Sequence, residues 1–164
     1  MAADGDLHRA VREFIEGELW LLDDGRLMEW FELFDHECSY WIPVDPAQPD
    51  PHQAPSLVYE ERLALEARVR RLLDPRIVPQ LPPSRTCRLL GGVRCSAGGA
   101  GLVRVEAKIL TLEARANGLA DGQRVFAGKC TYLLVPSGNS FRIRQKRVDL
   151  VNSEAGLHGA SILL

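Results

Sequence analysis

The chain has 164 residues, 46% of them hydrophobic and 26% charged, and its net charge is −2. That length can bury a core of its own, and a charge so near zero gives no electrostatic reason to expect nucleic acid or an anionic membrane as partner. No apolar run approaches the roughly 20 residues of a membrane-spanning helix, and "MAADGDLHRA" lacks the basic region, apolar core and cleavage site of a signal peptide, so the protein is expected in the cytosol.

Residues 6–24 read as a helix. Leu7, Val11, Ile15, Leu19 and Leu22 form one apolar stripe, Asp4 or Asp6 can cap the start, and Gly25 can stop it. A short second helix fits residues 26–34, with Leu27, Trp30, Phe31 and Phe34 on one face. "SYWIPV" then reads as a strand that Pro43 makes an edge or ends. Residues 45–55 hold four prolines and read as a surface loop. A third helix is expected over 58–73, with Leu65, Val69, Leu72 and Leu73 on one face and Glu66 and Arg70 paired one turn apart. A second Pro-rich loop, "DPRIVPQLPP", follows.

Past residue 84 the period becomes two. "RTCRLLGGVRC", "LVRVEAKIL", "QRVFAGKCTYLLV" and "SFRIRQKRVDLV" read as four long strands in meander order, joined by "SAGGAG", "ANGLADG" and "PSGNS". In the last of them the apolar phase moves from Phe141 and Ile143 to Val148 and Leu150, which predicts a bulge. Helices first and strands after give an α+β domain spanning 1–164. Its sheet is expected to curl around the helices as a cone. Cys38, Cys87, Cys95 and Cys130 include no Cys-x-x-Cys pair and read as buried, reduced thiols.

"LFDHECSYW" concentrates the groups able to do chemistry: Asp35, His36, Glu37 and Cys38, followed by Tyr40 and Trp41. A carboxylate inside an apolar cone could act as acid or base, with Tyr40 donating to an oxyanion. The plainer reading is a helix end whose polar residues face solvent before the strand begins. His8, His36, His52 and His158 are scattered over a helix, that junction, a Pro-rich loop and the tail, so no metal site is expected. Arg142, Arg144, Lys146 and Arg147 look like one basic strand face. No aromatic set interleaves with them, so a partner subunit is a better occupant than nucleic acid.

Several segments together resemble the beta (small) subunit of bacterial aromatic-ring-hydroxylating dioxygenases, the Rieske non-haem iron oxygenases. "EWFELFDHECSYWIPV" is similar to the family's Trp-x-x-Leu-Phe, acidic patch and Tyr-Trp-x-Pro. "SLVYEERLALEARVRRL" is similar to its Arg-rich helix, "PPSRTCRLLGGVRC" to its Pro-Ser-Arg-Thr strand, and Phe126-Ala127-Gly128 with "FRIRQKRVDLV" to its last two strands. Gly91 and Gly92 depart from the pattern's Ser-Asn, and Cys130 stands where arginine or another polar residue is commoner.

The resemblance implies a nuclear transport factor 2-like (NTF2-like, cystatin-like) cone: three N-terminal helices packed on a strongly curved, mostly antiparallel mixed sheet. It implies a structural subunit with no catalytic residue and no cofactor of its own. The Rieske 2Fe-2S cluster and mononuclear Fe(II) would reside in the alpha (large) subunit, in an α3β3 assembly or, without that partner, a β3 trimer. Tyr40, Trp41, Arg85, Arg142 and Arg144 are the expected subunit contacts. Two alternatives stay open: a stand-alone isomerase or dehydratase using Asp35 or Glu37, and a non-enzymatic ligand-binding module.

Overall fold

The computed structural model describes residues 2–76, 84–114, 123–151, 153 and 163–164. Its elements run α1 (Ala2–Asp23), α2 (Leu27–Phe31), β1 (Phe34–Pro43), β2 (Ser56–Glu61), α3 (Arg62–Leu73), β3 (Arg85–Ala97), β4 (Val103–Ala114), β5 (Gln123–Ser137) and β6 (Ser140–Leu150). The six strands form one sheet in the order β2-β1-β6-β5-β4-β3. All neighbours are antiparallel except β1 and β6. The mixed α+β class and the meander of the last four strands match the expectation. The sheet is open, with β2 and β3 as its edges, and is not strongly curled. "ANGLADG" and residues 77–83 of the second Pro-rich loop lie outside the described residues.

The predicted stripe of α1 is the part that enters the core. Val11 and Ile15 are fully buried, and Leu19 and Leu22 nearly so, against the inner face of the sheet. The helix begins before residue 6, so Asp6 lies within it and pairs with Arg9 at 2.7 Å rather than capping the start. Gly25 ends it as expected. It adopts φ +70 and lets the Arg26 amide donate back to the Leu21 carbonyl at 2.9 Å, a left-handed stop that favours glycine.

Two boundaries differ from the sequence reading. Residues 56–61 form a strand, not the first turns of a helix over 58–73. Val58 and Tyr59 have strand-forming side chains, and β1 offers an edge that binds them with Trp41 opposite Tyr59 and Ile42 opposite Val58. The Trp41 indole N–H donates to Ser56 Oγ at 2.9 Å. Helix α3 then starts at Arg62, with Leu65 and Val69 as its buried residues and the Glu66–Arg70 pair at 2.7 Å. The second helix stops at Phe31, and Phe34 already belongs to β1. "DHEC" is therefore inside a strand, not at the junction between a helix and a strand.

The cysteine expectation is half right. Cys38 and Cys130 are buried, Cys95 is half-buried, and Cys87 is exposed on β3. None of the described helices is long and apolar enough to cross a membrane.

Candidate functional site

Strand β1 carries the candidate carboxylates, and its pairing decides where they point. Phe34 lies beside Ile143 of β6, but the next matched pair is Ser39 with Gln145. Asp35, His36, Glu37 and Cys38 thus fall in an irregular stretch, where β1 has surplus residues over its partner. Strand β6 has its own surplus residue at the same place. Leu134 of β5 faces Ile143 and Leu133 faces Gln145, which leaves Arg144 unmatched. This is the bulge that the phase shift of the last strand predicts. The two bulges meet: Arg144 reaches Asp35 Oδ2 at 2.7 Å and Glu37 Oε2 at 2.5 Å. Both carboxylates turn onto this rim arginine and not into the interior. Arg62 at the start of α3 closes the bulge from the other side. Its guanidinium donates to the Phe34 and Asp35 carbonyls at 3.0 and 3.1 Å and lies 4.4 Å from the centre of the Phe31 ring.

The interior holds other ionisable groups, which the sequence reading did not single out as a site. The β6 bulge changes which alternate residues face inward, so Lys146 points into the core beside Val148 and Leu150. It is fully buried, and so is Glu18 of α1. Lys146 Nζ donates to Glu18 Oε1 at 2.5 Å, and the Trp30 indole N–H donates to the same oxygen at 2.8 Å. The Tyr132 hydroxyl donates to Glu18 Oε2 at 2.9 Å. The ammonium also lies 5.6 and 5.8 Å from the Tyr132 and Trp30 ring centres. Burial first, and then the Glu18 charge, drives the Tyr132 phenol well above its ordinary value. Burial likewise pushes the Cys130 thiol up to about 12. An acid, an amine and a phenol are together here. Every donor converges on one carboxylate, and no member is open to solvent, so the cluster is a closed network joining α1 and α2 to the sheet.

A second polar knot fixes the end of α1 to β3 and to the described end of the chain. Asp23 accepts from Thr86 Oγ1 and the Arg88 amide, each at 2.8 Å, and pairs with the Arg88 guanidinium. Arg88 also donates to the Leu163 carbonyl. The Tyr40 hydroxyl accepts from the Leu164 amide at 2.9 Å and lies 3.3 Å from its carbonyl oxygen. Leu163 and Leu164 are buried. Among the described residues, α1, aromatic side chains and this dipeptide pack together in the core.

The five expected contact residues have different fates. Tyr40 is 1% exposed and has no surface to give a neighbour. Trp41 is buried between Ser56 and the Arg147 guanidinium, which lies 4.2 Å from its ring centre. Arg147 in turn pins the Pro-rich loop by donating to the Pro46 and Gln48 carbonyls, each at 2.8 Å. Arg144 is held by Asp35 and Glu37. Arg142 is exposed and donates to the Glu32 carbonyl, and Arg85 is exposed at the start of β3. The single basic face expected for β6 does not form, because the bulge sends Lys146 inward. His8 contacts the Val93 carbonyl, His52 stacks edge-on to Tyr59, and His158 lies outside the described residues. Among the described residues no group of three or more His, Cys, Asp or Glu is placed to hold a metal ion.

The family model for the ring hydroxylating beta subunit matches residues 18–155. The chain is 32% identical to the small subunit of anthranilate 1,2-dioxygenase from Acinetobacter baylyi, over 91% of this chain and 92% of that one. It is 34% identical to the 2-halobenzoate 1,2-dioxygenase small subunit of Burkholderia cepacia, over 87% of each. Its structure is similar to that of the beta subunit of benzoate 1,2-dioxygenase from Burkholderia mallei, with a TM-score of 0.73, 25% identity and coverage of 93% and 95%. A naphthalene 1,2-dioxygenase chain has the same fold, with a TM-score of 0.79 at 19% identity and coverage of 98% and 86%. On this match in sequence and fold, the chain belongs to the beta-subunit family of ring-hydroxylating dioxygenases.

Proposed function

We propose that this chain is the mainly structural small subunit of the terminal oxygenase in a multi-component aromatic-ring-hydroxylating dioxygenase. It supports an iron-bearing large subunit that performs the cis-dihydroxylation of an aromatic compound in aromatic catabolism. On this reading the Rieske cluster and the mononuclear iron belong to that large subunit, and the complex is a cytosolic α3β3 assembly. The observation that carries it is the closed Glu18–Lys146–Tyr132 network in the core. Cone-fold enzymes keep an acid or base in an open cavity, whereas here Glu18, Lys146 and Tyr132 satisfy one another out of reach of solvent. Asp35 and Glu37, the other acid candidates, are spent on Arg144 at the rim.

Coexpression with the Rieske-type large subunit, followed by native mass measurement, tests the proposal. Equimolar co-purification with the mass of three large and three small subunits is expected, with iron following the large subunit. Recovery of this chain alone under those conditions would count against it. In the reconstituted oxygenase, Asp35→Asn with Glu37→Gln is expected to leave turnover within about twofold of wild type. Loss of the order of 100-fold, the scale of a removed general acid or base, would instead give one of these carboxylates a part in the chemistry and overturn the mainly structural reading.

A further inference from the structure

The outer face of the sheet, away from α1, has a feature that no hydrogen bond or ion pair among the described residues accounts for. Leu89 of β3 lies opposite Leu110 of β4, and Leu110 opposite Ala127 of β5. Two residues along, on the same face, Leu112 faces Val125. Leu89 is 62% exposed, Leu110 41%, Val125 52% and Val151 82%. These side chains lie in and beside a depression of about 670 Å³ between β3 and β5. Isolated exposed leucines are ordinary, but a contiguous strip across three strands is the mark of a covered surface.

The charges beside the strip identify what covers it. Lys108 and Lys129 are direct cross-strand neighbours on β4 and β5, both exposed. Like charges in that position repel. Asp149 lies across from Lys129 but is taken by Arg147 at 2.7 Å. Exposed Arg94 lines the same depression, and Glu106, its cross-strand neighbour, is engaged by Arg104 at 3.1 Å. Among the described residues Arg94, Lys108 and Lys129 have no carboxylate partner, whereas the arginines of α1, α3 and the rim are largely paired. A second copy meeting this face about a two-fold axis would bring the same three cations together. The free edge of β3 is blunted by a bulge at Gly92 and Val93, where Gly92 adopts φ +59, so docking through side chains is favoured over strand addition.

We propose that this strip, centred on Leu89 and Leu110 and flanked by Arg94, Lys108 and Lys129, is the docking surface for an acidic segment of the large subunit with apolar side chains. The inference rests on the function proposed above and names the surface that reading needs. The partner's apolar groups cover the leucines, and its carboxylates relieve the repulsion between the lysines.

The test is capture of a tagged Rieske-type large subunit by wild type, Lys108→Glu, the Leu89→Ser/Leu110→Ser pair and a control charge reversal at exposed Arg71, Arg71→Glu. Lys108→Glu places a carboxylate opposite Lys129, so its unfolding midpoint is expected at or above that of wild type. Its affinity for the large subunit is expected to fall at least about tenfold, and the wild-type affinity to weaken with added salt. The double serine variant is expected to lose capture while staying folded, and Arg71→Glu to bind like wild type. Equal capture by wild type and all variants would overturn the docking surface and leave the subunit reading intact. Failure of wild type itself to capture the large subunit would overturn both. Variants that dissociate a self-assembled form without touching capture would assign the face to a second copy and refute the proposal.

Discussion

Lys146→Met removes the only cation of the interior network and keeps a side chain of similar length. Glu18 then remains fully buried with neutral donors alone, the Trp30 indole at 2.8 Å and the Tyr132 hydroxyl at 2.9 Å. Stranding one member of a buried pair costs about 3–5 kcal/mol. That is a large share of the ~5–15 kcal/mol that holds a domain of ordinary stability together. The double variant Glu18→Gln/Lys146→Met should recover part of the loss. A glutamine carbonyl still accepts from Trp30 or Tyr132, and no charge is left buried. Urea unfolding followed by Trp fluorescence and circular dichroism reads all three proteins. The expected order is wild type, then the double variant, then Lys146→Met, with a coupling well outside the error of the extrapolation. A Lys146→Met protein as stable as wild type, or a double variant worse than the single, would refute the network as a stabilising unit.

Gly128→Ala would place a Cβ 2.3 Å from the Asp149 carbonyl oxygen, which is backbone and cannot rotate away. β5 and β6 must part at their core pairing, so a loss of about 1–3 kcal/mol and a lower thermal midpoint are expected. Thiol labelling with mass-spectrometric readout should separate the cysteines. At pH 8 exposed Cys87 should react first. Buried Cys130, pushed up to about 12 by its surroundings, should label only on unfolding.

Much of this fold is legible from periodicity, because periodicity records burial. The α1 stripe and the alternation of β4 are the residues that the core contains. β2 was not legible as a strand, because "VYEERLALEARVRRLL" continues smoothly into a helix. Only pairing with β1 distinguishes its first residues, and pairing is a tertiary fact. Glu18 and Lys146 were hidden for a related reason. Glu18 stands one residue before Leu19 of the apolar stripe, and Lys146 stands in a run of cations that reads as solvent-facing. The available signal was the phase shift itself: carried one step further, it turns Lys146 to the side of Val148 and Leu150.

The two bulges therefore connect the sequence pattern to function more directly than any single side chain does. With regular pairing through Ile143, inward alternation would take the odd-numbered residues, Gln145 and Arg147, and leave Lys146 on the rim. The surplus at Arg144 reverses that. It frees one cation to hold Asp35 and Glu37 outside, and it sends another inside to meet Glu18. The surplus thus keeps the candidate acids at the rim and gives buried Glu18 its cation. Among the described residues the inner face carries the core, and the outer face and the rim carry the exposed side chains that a partner can meet. That arrangement suits the small subunit of a multi-component dioxygenase, the family to which the chain belongs.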